Sequence, residues 1–327
     1  MKKIYKLMCS PVLSPFFTLL YNIFIVGQYR LLSVKWKLQG HGKPSPGEAR
    51  AVSENVTFIY KSFERQSMAK RLYRNIQHYY PGARVIIADD SRKPLRLKGD
   101  SLTVLQFPFN MGLSYGIGRA LEQSQTPFTM RMDDDTLLTP FTNIHGQLEF
   151  LRQHPEVDLV GVQACSAPLL RPAREGAKAY NKFSMKNAPK PLLIPHRTKL
   201  DDRHYVMGKV PNIFLARTDK YKSVGYDDNI RMIDHHEFFW RAAGNIVASM
   251  DIDAYVFHYH NRFDSHYTKY RSDWKRDIAY IRMKQEGTSL IENGKGKMEN
   301  QGSLRSELYF QLSTDFFLSA VAIRTPL

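Results

Sequence analysis

Short runs of apolar, β-branched residues alternate along this chain with longer stretches in which apolar residues recur every three or four positions. Residues 56–60 read as a first strand, and Met68, Leu72, Ile76 and Tyr79 then mark one face of a helix. Residues 84–88 form the next apolar run, which ends in Asp89-Asp90-Ser91, and residues 102–107 form a third. A glycine-punctuated stretch over 110–119 leads into a helix; the fourth strand, 128–132, ends in Asp133-Asp134-Asp135. Strands alternating with helices predict an α/β, Rossmann-like sheet, largely parallel and doubly wound. Ligands of such sheets bind beyond the carboxyl ends of the strands, and both acidic clusters fall there.

The second half is less regular. A strand is expected at 159–162, then a basic, proline-containing insertion or mobile loop reaching Leu200. Residues 210–216 and 254–258 resume apolar character, 237–243 look helical, and 265–285 carry a charged helical pattern. The polar run from Gly287 reads as a tail, and the apolar stretch 309–321 within 287–327 has no assigned role. At the other end, 11–26 is uncharged, with Lys2, Lys3 and Lys6 before it and Arg30, Lys35 and Lys37 after it. A bilayer span needs about 20 apolar residues, so this segment predicts a signal anchor or membrane-embedded helix, with an interfacial helix as the alternative. The expected organisation is a membrane segment with basic flanks over 1–39, a linker over 40–55, a main domain over 56–286 and a tail over 287–327.

Charge sharpens this picture. Of the net +16, residues 1–50 contribute +7 and residues 169–222 contribute +9, so the rest of the 327-residue chain is balanced. Basicity confined to a membrane-proximal segment and one loop region argues for anionic lipid and an anionic substrate, with no nucleic acid among the partners. Cys9 and Cys165 are the two cysteines, too few for a disulfide framework.

Three adjacent carboxylates at a strand end repel one another, and a hard cation between them relieves that repulsion. Asp133, Asp134 and Asp135 therefore suggest Mn²⁺ or Mg²⁺ bridging to a diphosphate, or else a solvated acidic turn. A phosphatase-type Asp-x-Asp-x-Thr reading fails because Leu137 stands where the threonine belongs. Asp89 and Asp90 could accept hydrogen bonds from a base or ribose, or serve only the turn. Asp234-His235-His236-Glu237 precedes an apolar helical run; Asp234 and Glu237 have the spacing of a capping box, which is compatible with a catalytic role. His258 and His260 alternate at a strand end, so both rings face one side, where one of them could complete a metal site.

In order, VTFIYKSFERQ, VIIADDS, FPFNMGLSYGIGRAL, FTMRMDDDTLL, VPNIFLARTDKYKSVGYDDNI, DHHEFFWRAAG and AYVFHYH resemble the GT-A glycosyltransferases. Within them, the chain is most similar to the ganglioside N-acetylgalactosaminyltransferase family and, more distantly, to the family-2 glycosyltransferases. The resemblance covers about 56–260 and implies that Asp89 or Asp90 contacts the uridine, that Asp133 and Asp135 form the metal-binding DxD, with Asp134 beside the nucleotide, and that Glu237 lies at the acceptor side. It implies further that His258 completes the metal shell. Relatives carry Arg-Asn after the glycine-rich stretch, whereas this chain has Ile117 and Gly118, with Arg119 displaced as the nearest diphosphate contact. Distant relatives place the base two residues before the helix glutamate, where His235 stands here, so Glu237, Asp234 and His235 all remain candidates for it.

The implied activity is inverting, metal-dependent transfer of a sugar (GalNAc, GlcNAc or a hexose) from a UDP-sugar to a hydroxyl of a glycan or glycolipid. The rival is a GT-A-fold glycan-binding or scaffold protein without turnover. A single N-terminal anchor fits either a Golgi type II protein or an enzyme on the cytoplasmic face of a bacterial inner membrane.

Overall fold

The computed structural model describes residues 7–166, 188–261, 263–272 and 274–285, which belong to one compact unit, Met1–Glu286. The expected tail, the stretch 309–321 and most of the expected insertion lie outside the described residues.

The helices are α1 (Ser14–Leu38), α2 (Pro46–Asn55), α3 (Gln66–Tyr79), α4 (Leu113–Glu122), α5 (Ile144–Gln153), α6 (Thr218–Val224), α7 (Asp234–Ala242), α8 (Ser265–Thr268) and α9 (Trp274–Gln285). The strands are β1 (Val56–Ser62), β2 (Arg84–Asp89), β3 (Leu102–Gln106), β4 (Phe128–Arg131), β5 (Thr136–Leu137), β6 (Leu159–Ser166), β7 (His204–Val206), β8 (Phe214–Arg217) and β9 (Ala248–His258). They form one sheet ordered β3-β2-β1-β4-β8-β6-β9-β5, with β7 also on β9.

The first half is the parallel, doubly wound sheet that the pattern predicts. Side chains alternate across β1: Phe58 and Tyr60 pack with Leu72 and Ile76 of α3 on one face, while Ile59 packs with Ile117 and Leu121 of α4 on the other. The second half is mixed, because β8 runs antiparallel to both β4 and β6, and β5 and β7 run antiparallel to β9. Parallel pairing thus runs through β1 to β4 and returns between β6 and β9, with antiparallel β8, β5 and β7 making the sheet mixed.

One expectation about the N-terminal region is corrected. The proposed linker over 40–55 contains α2, started by a true capping box: the Ser45 hydroxyl accepts from the Glu48 amide and Glu48 accepts from the Ser45 amide, with Pro46 in the first turn. Ala49 and Val52 of α2 are buried in the main core, so this helix is part of the domain. The expected membrane segment is helix α1, and one side of it packs on the domain. Ile25 of α1 is fully buried with Met68, Leu137, Phe257 and Tyr259.

Candidate active site

Strands β1, β2 and β4 all end on one edge of the sheet, and the loops that leave them bring the acidic clusters together. Asp89, at the end of β2, is consumed by its own turn: Oδ1 accepts from the Ser91 hydroxyl at 2.6 Å and Oδ2 from the Leu95 amide at 2.7 Å. Asp90, the next residue, is fully buried, paired with Lys61 of β1 and accepting from the Gly112 amide at 3.1 Å. Burial raises the Asp90 pKa against the pull of Lys61. Gly112 lies at φ +108° with the Arg231 backbone 3.0 Å from where a Cβ would be, so only glycine brings this amide to Asp90.

The triplet divides its work. Asp133 is the exposed member, its side chain 35% accessible, with one oxygen 2.8 Å from Arg131. Asp134 is buried against Arg65; burial and the two flanking carboxylates raise its pKa. Asp135 shares Arg65 with Asp134 and lies 3.6 and 3.4 Å from His258 and His260. Burial opposes its ionisation, but Arg65 and the two imidazoles outweigh burial and hold Asp135 well below the usual carboxylate range. One donor atom each from Asp135, His258 and His260 lie within 4.8 Å of one another, close enough to share a cation.

This differs from the expected set of Asp133, Asp135 and His258. Asp133 is absent from the three-donor group and His260 takes its place, because β5 pairs with β9 and its register puts Thr136 opposite His258. A carboxylate with two imidazoles suits Mn²⁺ better than Mg²⁺, which prefers an all-oxygen shell. Arg65 competes for the same carboxylate, at 3.2 Å from Asp135 Oδ2, with its guanidinium 3.8 Å over the Tyr267 ring.

Arg131 ties the triplet to α7. Fully buried in β4, it donates to Asp133 and, at 3.1 Å, to Asp234 Oδ2. Burial raises the Asp234 pKa, with Arg131 opposing. The expected capping box at α7 does not form: Ile233 is the N-cap and Asp234 is already helical. The amides of Arg231, Met232 and Ile233 are satisfied instead by the buried carboxylate of Asp277, from α9.

Glu237 has a structural partner set. Arg241 donates to both of its oxygens, at 2.5 and 2.8 Å, and Lys284 of α9 reaches Oε1 at 2.6 Å. The Glu237 carboxylate is 1% exposed and both of its oxygens accept from cations, the setting of a structural ion pair. His235 commits the proton on Nε2 to the Val210 carbonyl, and burial with Lys209 nearby keeps the ring neutral. Arg119 pairs with Glu122 and Asp228 two turns down α4, so its guanidinium is spent away from the triplet.

Lys61, Arg65, Arg131 and Asp277 were not singled out from the sequence. For Arg131 a signal existed: a cation inside an apolar strand beside three acids has to be buried with a counter-charge. Arg65 and Asp277 carry no such mark, since their partners are 70 and about 45 residues away.

No protein-family model matches the chain. Over 231 residues it is 30% identical to β-1,4 N-acetylgalactosaminyltransferase 1 of Homo sapiens, covering 68% of this chain and 42% of the relative. It is also 30% identical over 207 residues to β-1,4 N-acetylgalactosaminyltransferase 2 of Mus musculus, covering 62% and 39%. The chain thus spans about two fifths of the length of these curated relatives. Among solved structures, S. aureus TarS 1-349 in complex with UDP-GlcNAc shares 14% identity at a TM-score of 0.47, over 69% of this chain and 65% of that one. Mannosyltransferase PcManGT from Pyrobaculum calidifontis, in complex with GDP-Man and Mn²⁺, shares 16% at a TM-score of 0.46, over 95% and 87%. Neither likeness is close enough to bear on the site. The chain is a homologue of the β-1,4 N-acetylgalactosaminyltransferases over the matched residues, and its mixed α/β sheet is a GT-A fold.

Proposed function

We propose that the protein transfers a sugar, GalNAc or GlcNAc before other hexoses, from a UDP-sugar to a hydroxyl of a glycan or glycolipid, with inversion and with the help of Mn²⁺. The observation that carries the reading is the convergence of Asp90, the acidic triplet and the Asp135, His258, His260 group on one sheet edge, in a homologue of N-acetylgalactosaminyltransferases. Asp135, His258 and His260 would hold the ion, which when bound would offset charge on the departing diphosphate. Asp133, the solvent-facing member, and Asp90 are left for the nucleotide, since Asp89 serves its turn. Asp234 is favoured as the base among the three candidates: it is as buried as Glu237, but its Arg131 pair uses Oδ2 alone and ties it to Asp133, whereas both Glu237 oxygens accept from cations.

The test is a panel of nucleotide sugars with and without acceptor glycans, scored for UDP release. UDP-GalNAc or UDP-GlcNAc should be consumed, excess chelator should abolish turnover, and Mn²⁺ should restore it better than Mg²⁺. Asp135→Asn should remain folded and lose metal-restored activity. Full turnover in chelator would remove the metal from the mechanism; donor binding with no release under any condition would favour a glycan-binding protein.

A further inference from the structure

Helix α1 is amphipathic the wrong way round for a soluble protein. The positions it turns towards the domain carry most of its polar residues: Ser14, Thr18, Tyr21, Asn22, Gln28, Tyr29 and Ser33 are all buried or half-buried there, beside the apolar Phe17, Ile25, Val26, Leu32 and Trp36. Its exposed positions are apolar, with Leu19 57%, Ile23 60%, Phe24 54%, Leu31 74% and Val34 58% accessible. The inward polar groups are used. The Ser14 hydroxyl donates to the Phe263 carbonyl and accepts from the Ser265 amide, Tyr21 donates to the His260 carbonyl, and Tyr29 donates to the Leu138 carbonyl while accepting from Asn75. At the far end Trp36 meets the ring of Phe141 at 6.0 Å. A helix that saves its polar side for protein and offers leucine, isoleucine and phenylalanine outward is solvated by lipid on that outer side.

The same contacts exclude a perpendicular span. From Ser14 to Trp36 the helix is held against the domain over about 33 Å at 1.5 Å per residue, the full thickness of a hydrocarbon core. If α1 crossed the bilayer, the sheet edge and the Asp135, His258, His260 group beside it would be carried into hydrocarbon with it, which irregular polar backbone does not tolerate. Arg30, Lys35 and Lys37 are exposed on this helix, and Lys2, Lys3 and Lys6 precede it in the sequence, so the charge accompanying the apolar stripe is positive throughout.

We propose that α1 lies flat in the headgroup region of an anionic bilayer, its Phe16 to Leu38 stripe in the acyl boundary and its basic residues among the lipid phosphates, as a monotopic docking surface. Because Tyr21 is bonded to the backbone of His260, docking fixes the donor-atom group of the sheet edge beside the membrane plane. The orientation is set by the fold, not by a flexible tether.

The experiment uses the full chain and its Ile23→Trp variant, placed on vesicles of phosphatidylcholine with or without phosphatidylglycerol, with bromines either near the headgroup or near the methyl end of the acyl chains. Ile23 lies near the middle of α1, so a spanning helix would bring it to the bilayer centre. Flat docking predicts that the fluorescence added by the variant is quenched more by shallow than by deep bromines. Stronger deep quenching overturns the proposal in favour of a span; no binding to vesicles, with concentration-dependent self-association instead, overturns it in favour of a second copy of the chain. Lys35→Glu with Lys37→Glu should weaken binding to the anionic vesicles by roughly fivefold per residue and leave binding to phosphatidylcholine unchanged. Ile23→Ser should weaken binding to both by about tenfold, with an unaltered melting temperature because the side chain makes no core contact. Loss of melting temperature in Ile23→Ser would show that the stripe packs on protein, and would refute the proposal.

Discussion

Asp234 and Glu237 are three residues apart on one helix, yet their surroundings differ in kind. Glu237 is shared by Arg241 and Lys284, and Asp234 joins Arg131 and through it the acidic triplet. Glu237→Gln leaves two cations without their counter-charge. Both are partly solvated, at 23% and 30%, so the cost is about 1–3 kcal/mol, below that of a fully buried pair. A fall in melting temperature of about 2–10 °C follows for a domain of this size, with turnover changed by less than about threefold. Asp234→Asn should instead lose at least about 10²-fold in turnover and keep its affinity for UDP. Steady-state rates set beside donor-binding titrations separate the two. An inactive Glu237→Gln with wild-type melting would return the base to Glu237.

At the scale of elements, α9 is the piece whose importance the pattern hides. Its sequence shows only a charged helical pattern, but Asp277 is fully buried on three backbone amides, and Tyr280 and Lys284 both bond Asp227 in the loop before α7. Burial opposes the ionisation of Asp227, but Lys284, the Asn229 amide and Tyr280 outweigh burial and bring its pKa down to about 2 from 3.8. A carboxylate whose folded pKa is depressed stabilises fully above its unfolded pKa and loses that contribution as pH falls through the folded one. Asp227→Asn should therefore melt earlier than the wild type at neutral pH, and the gap should close between about pH 4 and about pH 2. Circular dichroism melts over that range would check this; a gap that stays constant would mean that the ion pair to Lys284 contributes nothing.

For the whole molecule the question is what the N-terminal region does to the domain. The apolar pattern suggests that residues 1–39 can be removed without harm, since the first strand begins at Val56. The packing of α1 says otherwise. Removing it uncovers Met68, Leu137, Phe257 and Tyr259, deletes the buried Ile25, and takes Tyr29 away from Asn75 and the Leu138 carbonyl. Losing one buried isoleucine and two hydrogen bonds costs at least about 3 kcal/mol. A chain starting at Gly40 should melt many degrees lower or aggregate when expressed without detergent, as soluble yield and thermal denaturation would report. A monodisperse truncation with unchanged melting would show that α1 is dispensable to the fold.

The sequence by itself determined the parts of this protein that depend on neighbours within a turn or a strand. The period-two and period-3.6 patterns placed β1 to β4, α3 and α4, and put Asp89-Asp90 and Asp133-Asp134-Asp135 on one edge, because a parallel sheet with helical crossovers ends all its strands on the same side. Motif order likewise pointed to the transferase family. Only the tertiary structure decided which acids are free to act. Glu237 and Asp89 carry the same residue types in the same motifs whether or not a cation or a turn consumes them, and Lys284 lies 47 residues beyond Glu237. The choice of His260 over Asp133 in the three-donor group came from the register of β5 on β9, a pairing more than 100 residues apart in the chain that no local pattern encodes. The fate of α1 was decided in the same way: its hydropathy is that of a span, and its direction is set by Asn75, Leu138, His260 and Phe263, residues remote in sequence that meet its polar side.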